Sequence, residues 1–465
     1  MNSIKDKDRT TFWALLIWGS ITLLVLLSIL LIGLRWGAEG FKIFIQNWTL
    51  SHLRTTLASV AISWLLVGLF LYLLAAKKIN AQNALTWTGF FLTGLAYLNI
   101  LRERFRYGDI SYYIQAATRL YNNQPLPRSY LYPPLWATLL EFIVPLGDEG
   151  ILLVTWILNV LAVFTFYFLL HRVLEQYGFS TRLAALVTTG FMLVNTPLLR
   201  TLVYVQVNLH TLNAIFLGLL LYRRSKFISA LMMALAVQLK ASPIVLVIAF
   251  LLIPDFRWLA WFVVNNLVIV SVTLFTNGVS PFLDFLSNSS ALISERTSVF
   301  HDTSFDSFFS FPTQIFAFPD PLARVLIYAA KVGLLFVTIV LLARAIRKGG
   351  FFTGTGAEGK LYNAIPPLFI LMTLASPIVW AHHGIFLSLS FLVLLKKLTS
   401  SKEWTLFGFA YFFEFLLPTF DFYPWSFGRL VAPLIILWLM WKLPDRPSEL
   451  FLKANHWSGA LLKRT

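Results

Sequence analysis

The chain alternates long apolar runs with short polar connections over almost its whole length. The first run, Phe12 to Leu34, has about 23 residues and would cross roughly 30 Å of hydrocarbon as an α-helix. Further apolar runs follow, several of them shorter than a full crossing. The pattern predicts an all-α fold, a polytopic transmembrane bundle of about 12 to 14 helices. No small-residue cleavage site follows the first run, so we expect a membrane anchor there rather than a cleaved signal.

Polar residues are concentrated in two longer stretches, which divide the chain into five regions. We expect N-terminal transmembrane helices in 1–101, a large loop with amphipathic helices in 102–150, central transmembrane helices in 151–276, a second large loop in 277–322, and C-terminal transmembrane helices with a tail in 323–465.

The composition excludes a soluble protein. Of the 465 residues, 58% are hydrophobic and 12% are charged, and the mean hydropathy is +0.74. One soluble core would not hide so much apolar surface. The net charge of +16 fits basic loops that face an anionic cytoplasmic leaflet, so we expect membrane lipids and no nucleic acid as partners. The chain has no cysteine, which excludes disulfides, thiolate catalysis and Cys-ligated metals.

The positions of Lys and Arg predict the orientation of the helices. If the chain starts in the cytoplasm and alternates, the inner segments carry 23 of the 37 Lys and Arg residues. The first large loop then lies outside the cytoplasm although it is rich in arginine, and this exception to the charge rule suggests a bound anion. Its five arginines are Arg102, Arg104, Arg106, Arg119 and Arg128.

The run from Phe227 to Ile253 decides the topology of everything after it. Read as one helix, it would place the basic C-terminal tail outside the cytoplasm, against the charge rule. We therefore expect two short helices, broken around Lys240 and Pro243. This division places the candidate polar groups on one face of the membrane, and they are Asp109, Gln206, Asn208, Lys240, the second loop, His382, His383 and Asp421.

The first loop contains two segments with helical spacing of apolar residues. The first helix follows Asp109 and has an apolar face formed by Ile110, Tyr113, Ile114, Ala117, Leu120 and Tyr121. The second starts at Tyr132-Pro133-Pro134, and its predicted apolar stripe is Leu135, Leu139, Phe142 and Ile143. Two interfacial helices of this kind would form a platform for a lipid-borne substrate.

Asp109 has two interpretations that the spacing leaves open. An aspartate directly before a helix is a good N-cap, with a stabilisation of roughly 1 kcal/mol. Alternatively, Asp109 is a general base that takes a proton from an attacking hydroxyl. Capping would depress its pKa and make it a weak base.

Five motifs occur in a defined order: GDISYYIQAATRLY, YLYPPLWATLL, VQVNLHTLN, ALMMALAVQLKASPIVL and ASPIVWAHH. In this order, from about Arg102 to Leu395, the chain resembles glycosyltransferase family 87, the bacterial polyprenyl-phosphate-mannose-dependent α-mannosyltransferases of the GT-C class. The resemblance implies that Asp109 is the catalytic base. It also matches the family's Lys-x-x-Pro to Lys240 and Pro243, and its Ser-Pro-x-x-Trp-x-His-His to residues 376–383. The family pattern more often has glycine at Val205 and near Asn123.

The resemblance implies a GT-C fold and an inverting hexosyltransferase of the plasma membrane with its site on the extracytoplasmic face. It would move a hexose, mannose by this likeness, from a polyprenyl-phosphate-linked donor to a glycolipid or glycan acceptor. We expect no cofactor, and dependence on a divalent metal stays open. The alternatives are a transporter or flippase for a lipid-linked sugar, a GT-C enzyme with another acceptor, such as an aminoarabinose or protein O-mannosyl transferase, and a non-catalytic lipid-binding scaffold.

Substrate or phosphate binding is assigned to Lys240, His382, His383, Arg106, Arg119, Arg128, Tyr132, Gln206 and Asn208. Structural roles stay open for Lys240, for the two histidines as caps or packing residues, and for Gln206 and Asn208 as the start of a helix. Adjacent helical side chains diverge by about 100°, so we expect no metal held by the histidine pair. Lys331 and Glu414 are expected to form a buried pair. Polar residues of the second loop that are candidates for substrate contact are Asn288, Glu295, Arg296, His301, Asp302 and Asp306.

Overall fold

Helices make up nearly all of the computed structural model, and no strand occurs in the residues that it describes. These residues are 2–44, 50–80, 83–104, 109–295, 303–315, 319–348, 351–352, 356–417, 427–443 and 446–460. The all-α prediction is confirmed.

The α-helices of the described residues are α1 (Asn2–Phe44), α2 (Leu50–Ala75), α3 (Ala84–Arg104), α4 (Ile110–Tyr121), α5 (Leu135–Glu141), α6 (Gly147–Gln176), α7 (Thr181–Leu193), α8 (Thr196–Val203), α9 (Asn208–Leu221), α10 (Lys226–Leu239), α11 (Val247–Leu252), α12 (Phe256–Asn277), α13 (Ser280–Glu295), α14 (Phe305–Ile315), α15 (Asp320–Lys348), α16 (Gly356–Leu374), α17 (Ser388–Leu394), α18 (Ser401–Tyr411), α19 (Gly428–Lys442) and α20 (Glu449–Ala460). Short 3₁₀-helices cover Val144–Leu146, Ser242–Leu246 and Ala381–Leu387, and a π-helix covers Phe412–Leu416.

Five helical stretches in the described part of the chain are long and apolar enough to cross a membrane, and they are Thr11–Leu31, Ala84–Leu101, Val144–Gln176, Phe256–Asn277 and Asp320–Ala345. A sixth is made by α7 and α8 if they are counted together, although they are bent by 60°. The other apolar runs form shorter helices. The chain is therefore a multi-pass membrane protein with many interrupted helices.

The break between α7 and α8 divides the apolar run of residues 183–199. The Asn195 side chain accepts a hydrogen bond from the Leu198 backbone N–H at 2.9 Å and so caps α8, with Pro197 in the first turn. Hydropathy alone does not show this break, because it is caused by capping chemistry inside an apolar run.

The chain forms two compact units, Met1–Phe105 and Arg106–Thr465. In the first unit α1 packs on α2, and α2 packs on α3. Trp18 and Trp64 stack with their ring centroids 5.9 Å apart, and Trp64 Nε1 donates to Thr22 Oγ1 at 2.8 Å. Gly68 permits this close approach, since a Cβ at that position would collide with the Trp18 ring.

The second unit contains α4 to α20, and α16 lies at its centre. Every residue of α16 from Leu361 to Leu374 is buried, as expected for a helix that is apolar on all sides. The ring of Phe216 on α9 lies between those of Phe166 on α6 and Phe369 on α16, at centroid distances of 6.0 and 6.4 Å. This packing gives the functional residues of the second unit a rigid base.

α10 and α12 run in the same direction, which resolves the run from Phe227 to Ile253. Lys226, at the start of α10, forms an ion pair of 2.7 Å with Asp255, just before α12. Further along both helices, Gln238 Nε2 donates to Asn266 Oδ1 at 3.0 Å. The residues between α10 and α12 must therefore return to the starting level, so the prediction of two short helices is confirmed.

α4 and α5 form where the spacing in the first loop predicts helices, but only part of the stripe predicted for α5 packs inside the protein. In α4 the predicted face is buried except for Tyr121, which is 51% exposed. In α5, however, Leu139 and Phe142 are 43% and 64% exposed. The buried residues are Leu135, Trp136, Ala137, Thr138 and Leu140. The reason is that α5 lies against both α4 and α12, and Thr138 forms a hydrogen bond of 3.1 Å with Thr273.

The cysteine-free chain allows a direct test of orientation. We expect Gln124→Cys, in the exposed turn after α4, to react with a membrane-impermeant maleimide in intact cells. Arg224→Cys, in the exposed turn before α10, should react only after the membrane is permeabilised. The opposite labelling pattern would contradict the predicted orientation, because it would place the turn at Gln124 in the cytoplasm and the turn at Arg224 outside it.

Candidate active site

Asp109 stands immediately before α4 but does not cap it. Its side chain makes no hydrogen bond to the first turn of that helix, so the capping interpretation is wrong. Burial raises the pKa of the half-buried carboxyl to about 6, and the positive charge of Lys240 opposes this rise. The pKa is thus raised instead of depressed, which suits a general base that works near neutral pH.

Two tyrosines from the first loop meet at Gln206. The hydroxyls of Tyr113, on α4, and Tyr132, before α5, each donate to Gln206 Oε1 at 3.0 Å. Gln206 Nε2 is buried and has no hydrogen-bond partner within the described ranges. The charge of Asp109 acts on both tyrosines, so the carboxylate lies close to them. The cluster offers an amide donor and phenol acceptors beside a carboxylate, which suits a ligand with several hydroxyl groups.

Lys240 lies where α10 ends and the backbone becomes extended, with φ −155° and ψ 125°. Its Nζ donates to Asn208 Oδ1 at 2.7 Å. It also lies 5.7 Å from the ring centroid of Tyr132 and 5.5 Å from that of Phe386. Asp109 is the acid whose charge acts on it. Lys240 is therefore a cation held in place by one amide and two rings, facing a polar site.

His382 and His383 have different surroundings. Their rings are 4.6 Å apart and nearly perpendicular, at 83°. His383 Nδ1 accepts the backbone N–H of Trp380 at 3.1 Å, so His383 caps the 3₁₀-helix and its ring proton lies on Nε2 when it is neutral. His382 Nε2 is buried without a hydrogen-bond partner in the part of the chain that the structure describes. His382 thus has a ring nitrogen whose hydrogen-bonding capacity is unused among the described residues, whereas His383 uses Nδ1 as a cap.

The structure brings Asp109, Lys240 and the histidines together. The charge of Lys240 acts on Asp109 and on both imidazoles. Asn208 connects the two sides, because its Oδ1 binds Lys240 and its Nδ2 donates to the carbonyl of His382 at 3.5 Å. The two-helix division of residues 227–253 requires this convergence, and the roles of the residues stay predictions.

α13 fastens the loop that carries Tyr132. Asp284 Oδ2 accepts the Leu126 N–H at 2.9 Å, and Asn288 Nδ2 donates to the carbonyls of Pro127 at 3.0 Å and Tyr130 at 3.3 Å. Asn288 was a candidate for substrate contact, but it binds backbone instead. Polar residues of the second loop thus position the first loop.

The remaining charged candidates are placed away from Asp109 or are not described. Arg128 is exposed, and Arg119 Nη1 donates to the carbonyl of Pro125 at 3.3 Å. Lys240 is instead the cation that acts on Asp109. Arg106, Arg296, His301, Asp302 and Asp421 lie outside the described residues, as do the side chains of Arg102, Arg104 and Glu295.

The predicted pair of Lys331 and Glu414 is wrong. Lys331 forms an ion pair with Asp306, so Asp306 is not available to a substrate either. Glu414, in the π-helix, is buried beside Arg429, whose Nε donates to the Glu414 carbonyl at 3.4 Å. Lys331 pairs with Asp306, and the charge of Arg429 acts on Glu414, but the hydropathy pattern indicates neither neighbour.

Three further residues at the site carry little signal in the sequence. Tyr113 belongs to an apolar face, and only its hydroxyl hints at a polar neighbour. Arg200, whose charge acts on the His382 ring, ends an apolar run, which is an ordinary place for a charge. Val205 has no polar atom on its side chain, yet its backbone φ is 55°, in the left-handed region that β-branched residues avoid.

Val205 occupies the position at the end of α8 where glycine is usual. The N–H of Gln206 donates to the carbonyl of Thr201 at 2.8 Å and that of Val205 to Leu202 at 3.1 Å, a Schellman motif. Asn123, with φ 53°, ends α4 in the same way. The pattern of the family that the sequence resembles more often has glycine at the first of these positions and near the second, and glycine adopts positive φ without strain.

The fold and site define a polytopic membrane protein whose polar site combines a carboxylate and a lysine. Residues 130–377 match the family described as Glycosyltransferase family 87. Because the match covers more than half of the 465 residues, the chain belongs to glycosyltransferase family 87 and is a membrane glycosyltransferase. Family membership favours an enzyme over a transporter or a lipid-binding scaffold. No curated protein and no solved structure matches the chain.

The matched range contains part of the site only. Tyr132, Gln206, Asn208 and Lys240 fall within residues 130–377, whereas Asp109 precedes the range and His382 follows it. Geometry, not the match, connects these last two residues to the others.

The strain at Val205 can be measured against Val207, which is equally buried but has an ordinary φ of −69°. Both Val→Gly substitutions remove the same side chain. We expect Val205→Gly to cost less unfolding free energy than Val207→Gly, by about 1–2 kcal/mol, since only the former relieves a left-handed residue. Thermal unfolding in detergent would show the difference, and equal losses would mean that Val205 is not strained.

Proposed function

We propose that this glycosyltransferase transfers a hexose, mannose by family resemblance, from a polyprenyl-phosphate carrier to a hydroxyl group of a glycolipid or glycan. The reaction proceeds with inversion, on the extracytoplasmic face of the plasma membrane. The observation that carries the proposal is the uncapped, half-buried carboxylate of Asp109 next to Lys240. One group accepts a proton, and the other attracts a phosphate.

Asp109 serves as the base. The acceptor oxygen attacks the anomeric carbon and forms the new glycosidic bond while its proton passes to the Asp109 carboxylate. A carboxyl with a pKa of about 6 is mostly ionised at neutral pH and is a stronger base than an ordinary aspartate. Attack from the side opposite the phosphate inverts the configuration.

Lys240 and His382 serve the leaving group. As the bond from the anomeric carbon to the phosphate oxygen breaks, its electron pair stays with the phosphate, whose negative charge increases. The ammonium of Lys240 stabilises that charge, and His382 Nε2 can donate a hydrogen bond to it. A polyprenyl phosphate needs no protonation to leave, so the site needs no general acid.

Gln206 and the two tyrosines suit the sugar. Both tyrosine hydroxyls donate to Gln206 Oε1. Tyr113 is fully buried, so the half-buried Tyr132 is the one that offers oxygen lone pairs to a sugar hydroxyl, while Gln206 Nε2 remains as a donor. Such hydrogen bonds fix the orientation of the hexose relative to Asp109 and Lys240.

Substitution of the base tests the mechanism. We expect Asp109→Asn and Asp109→Ala to reduce sugar transfer from radiolabelled polyprenyl-phosphate-mannose in membranes by about 10²- to 10⁴-fold, the usual contribution of a general base. Asp148→Asn, an exposed aspartate in the first turn of α6, is the matched control and should keep full activity. Near-normal turnover by folded Asp109 variants would refute the base assignment, and a wild type that uses no polyprenyl-phosphate sugar would refute the donor.

The acid limb of the pH profile tests the coupling of Asp109 to Lys240. Asp109 must be ionised to act, so kcat/KM should fall as the pH drops through about 6. Because the charge of Lys240 lowers the pKa of Asp109, residual activity of Lys240→Gln should fall at a higher pH than that of the wild type. Lys402→Gln, an exposed lysine, should leave the profile unchanged. An acid limb that does not move in Lys240→Gln would show that the two groups are not coupled.

A further inference from the structure

Arg200 lies on α8, the short helix that packs against the 3₁₀-helix carrying His382. The next residue, Thr201, donates through Oγ1 to the carbonyl of His382 at 3.3 Å. The positive charge of Arg200 acts on the His382 ring, and so does that of Lys240. Two cations from different elements, α8 and the end of α10, therefore approach one imidazole.

Arg200 and His382 each have side-chain hydrogen-bonding groups without a partner among the described residues. The side chain of Arg200 is half-buried, and its guanidinium forms no hydrogen bond or ion pair with another described residue. His382 is only 6% exposed, and its Nε2 has no hydrogen-bond partner in the described ranges. Nearby, the charge of Arg429 acts on the buried Glu414, whose Oε2 has no hydrogen-bond partner among the described residues. A second arginine thus raises the positive potential around Arg200 further, since the charges of Arg200 and Arg429 act on each other.

We propose that Arg200 is the second cation of the phosphate site, binding the phosphate of the lipid carrier together with His382 and Lys240. The inference rests on the proposed function and adds a residue to it. The occupant must be an anion with several acceptor oxygens, because it has to receive hydrogen bonds from a guanidinium, an imidazole and an ammonium.

The charges agree with a phosphate monoester. After the sugar has left, such a group carries a charge of about −1.5 to −2 near pH 7, which Lys240 and Arg200 together balance. The two side chains bind a phosphate in different ways, since a guanidinium binds two phosphate oxygens at once and an ammonium acts as a point charge. Arg200 therefore contributes to binding the carrier as well as to its departure.

Binding of farnesyl phosphate, a short soluble carrier analogue, tests the proposal in the full-length detergent-solubilised chain. In an Asp109→Asn background, which separates binding from turnover, we expect Arg200→Gln to weaken farnesyl phosphate binding by about 10- to 100-fold, as for the loss of a charged hydrogen bond. The affinity of Arg200→Lys for farnesyl phosphate should lie between that of the Asp109→Asn parent and that of Arg200→Gln. Arg224→Gln, an exposed arginine outside the site, is the matched control and should bind normally.

Farnesol, which has no phosphate, separates a binding role from a structural one. Its binding should not change in Arg200→Gln. If farnesol binding falls as much as that of farnesyl phosphate, or if farnesyl phosphate binds Arg200→Gln as tightly as the parent protein, the proposal is overturned. If inorganic phosphate binds as tightly as farnesyl phosphate, with the same dependence on Arg200, the site binds free phosphate and the assignment to a lipid carrier is overturned.

The outcomes for Arg200 and for the proposed function can be told apart. If the protein binds farnesyl phosphate through Arg200 but transfers no sugar from a polyprenyl phosphate, the phosphate site is supported and the proposed transferase function is refuted. If Arg200→Gln transfers the sugar as well as the wild type, only the role of Arg200 is refuted.

Discussion

The amino group of Lys240 is the constraint on which the rest of the site depends. An ammonium removed from water costs several kcal/mol unless other groups replace its hydration. Here the Oδ1 of Asn208 supplies a hydrogen bond, the rings of Tyr132 and Phe386 lie nearby, and the charge of Asp109 compensates part of the cost. These groups come from four separate parts of the chain. Holding Lys240 therefore requires α10 to end at that point and the first loop to fold back over it.

The first loop owes its position to hydrogen bonds with residues from other parts of the chain. Asp284 and Asn288 on α13 bind its backbone, and Gln206 holds Tyr113 and Tyr132 through one oxygen. The left-handed Val205 turns the chain between α8 and α9, with Gln206 directly after it. Backbone strain of this kind persists only when the surroundings impose it. A site held by so many fixed contacts is preorganised, so the reacting groups need little rearrangement on binding substrate.

Much of this could be predicted from residue spacing, and the failures have physical causes. The return of the chain after α10 follows from Lys240, Pro243 and the charge rule. The convergence of Asp109, Lys240 and His382 follows from the same topology. The buried residues of α5 differ from its predicted stripe because a seven-residue helix packed on two sides has no single buried face. Side-chain pairing failed for Lys331 and Glu414 because hydropathy does not show which distant residues become neighbours.

Of the two interpretations of Asp109 that the spacing leaves open, the structure excludes the N-cap. Its place before a helix predicts an N-cap, yet the carboxylate is committed to no hydrogen bond there and is used instead to compensate Lys240. A capped aspartate would be satisfied and chemically inert. An uncapped one next to a buried cation is satisfied only in part, and its charge holds the cation while its lone pairs stay available. In the proposed mechanism, a phosphate bound to Lys240 would replace the compensation that Asp109 gives, and the negative charge of Asp109 would then oppose the phosphate. The carboxylate would become a stronger base when the donor binds, which would couple binding of the carrier to activation of the acceptor.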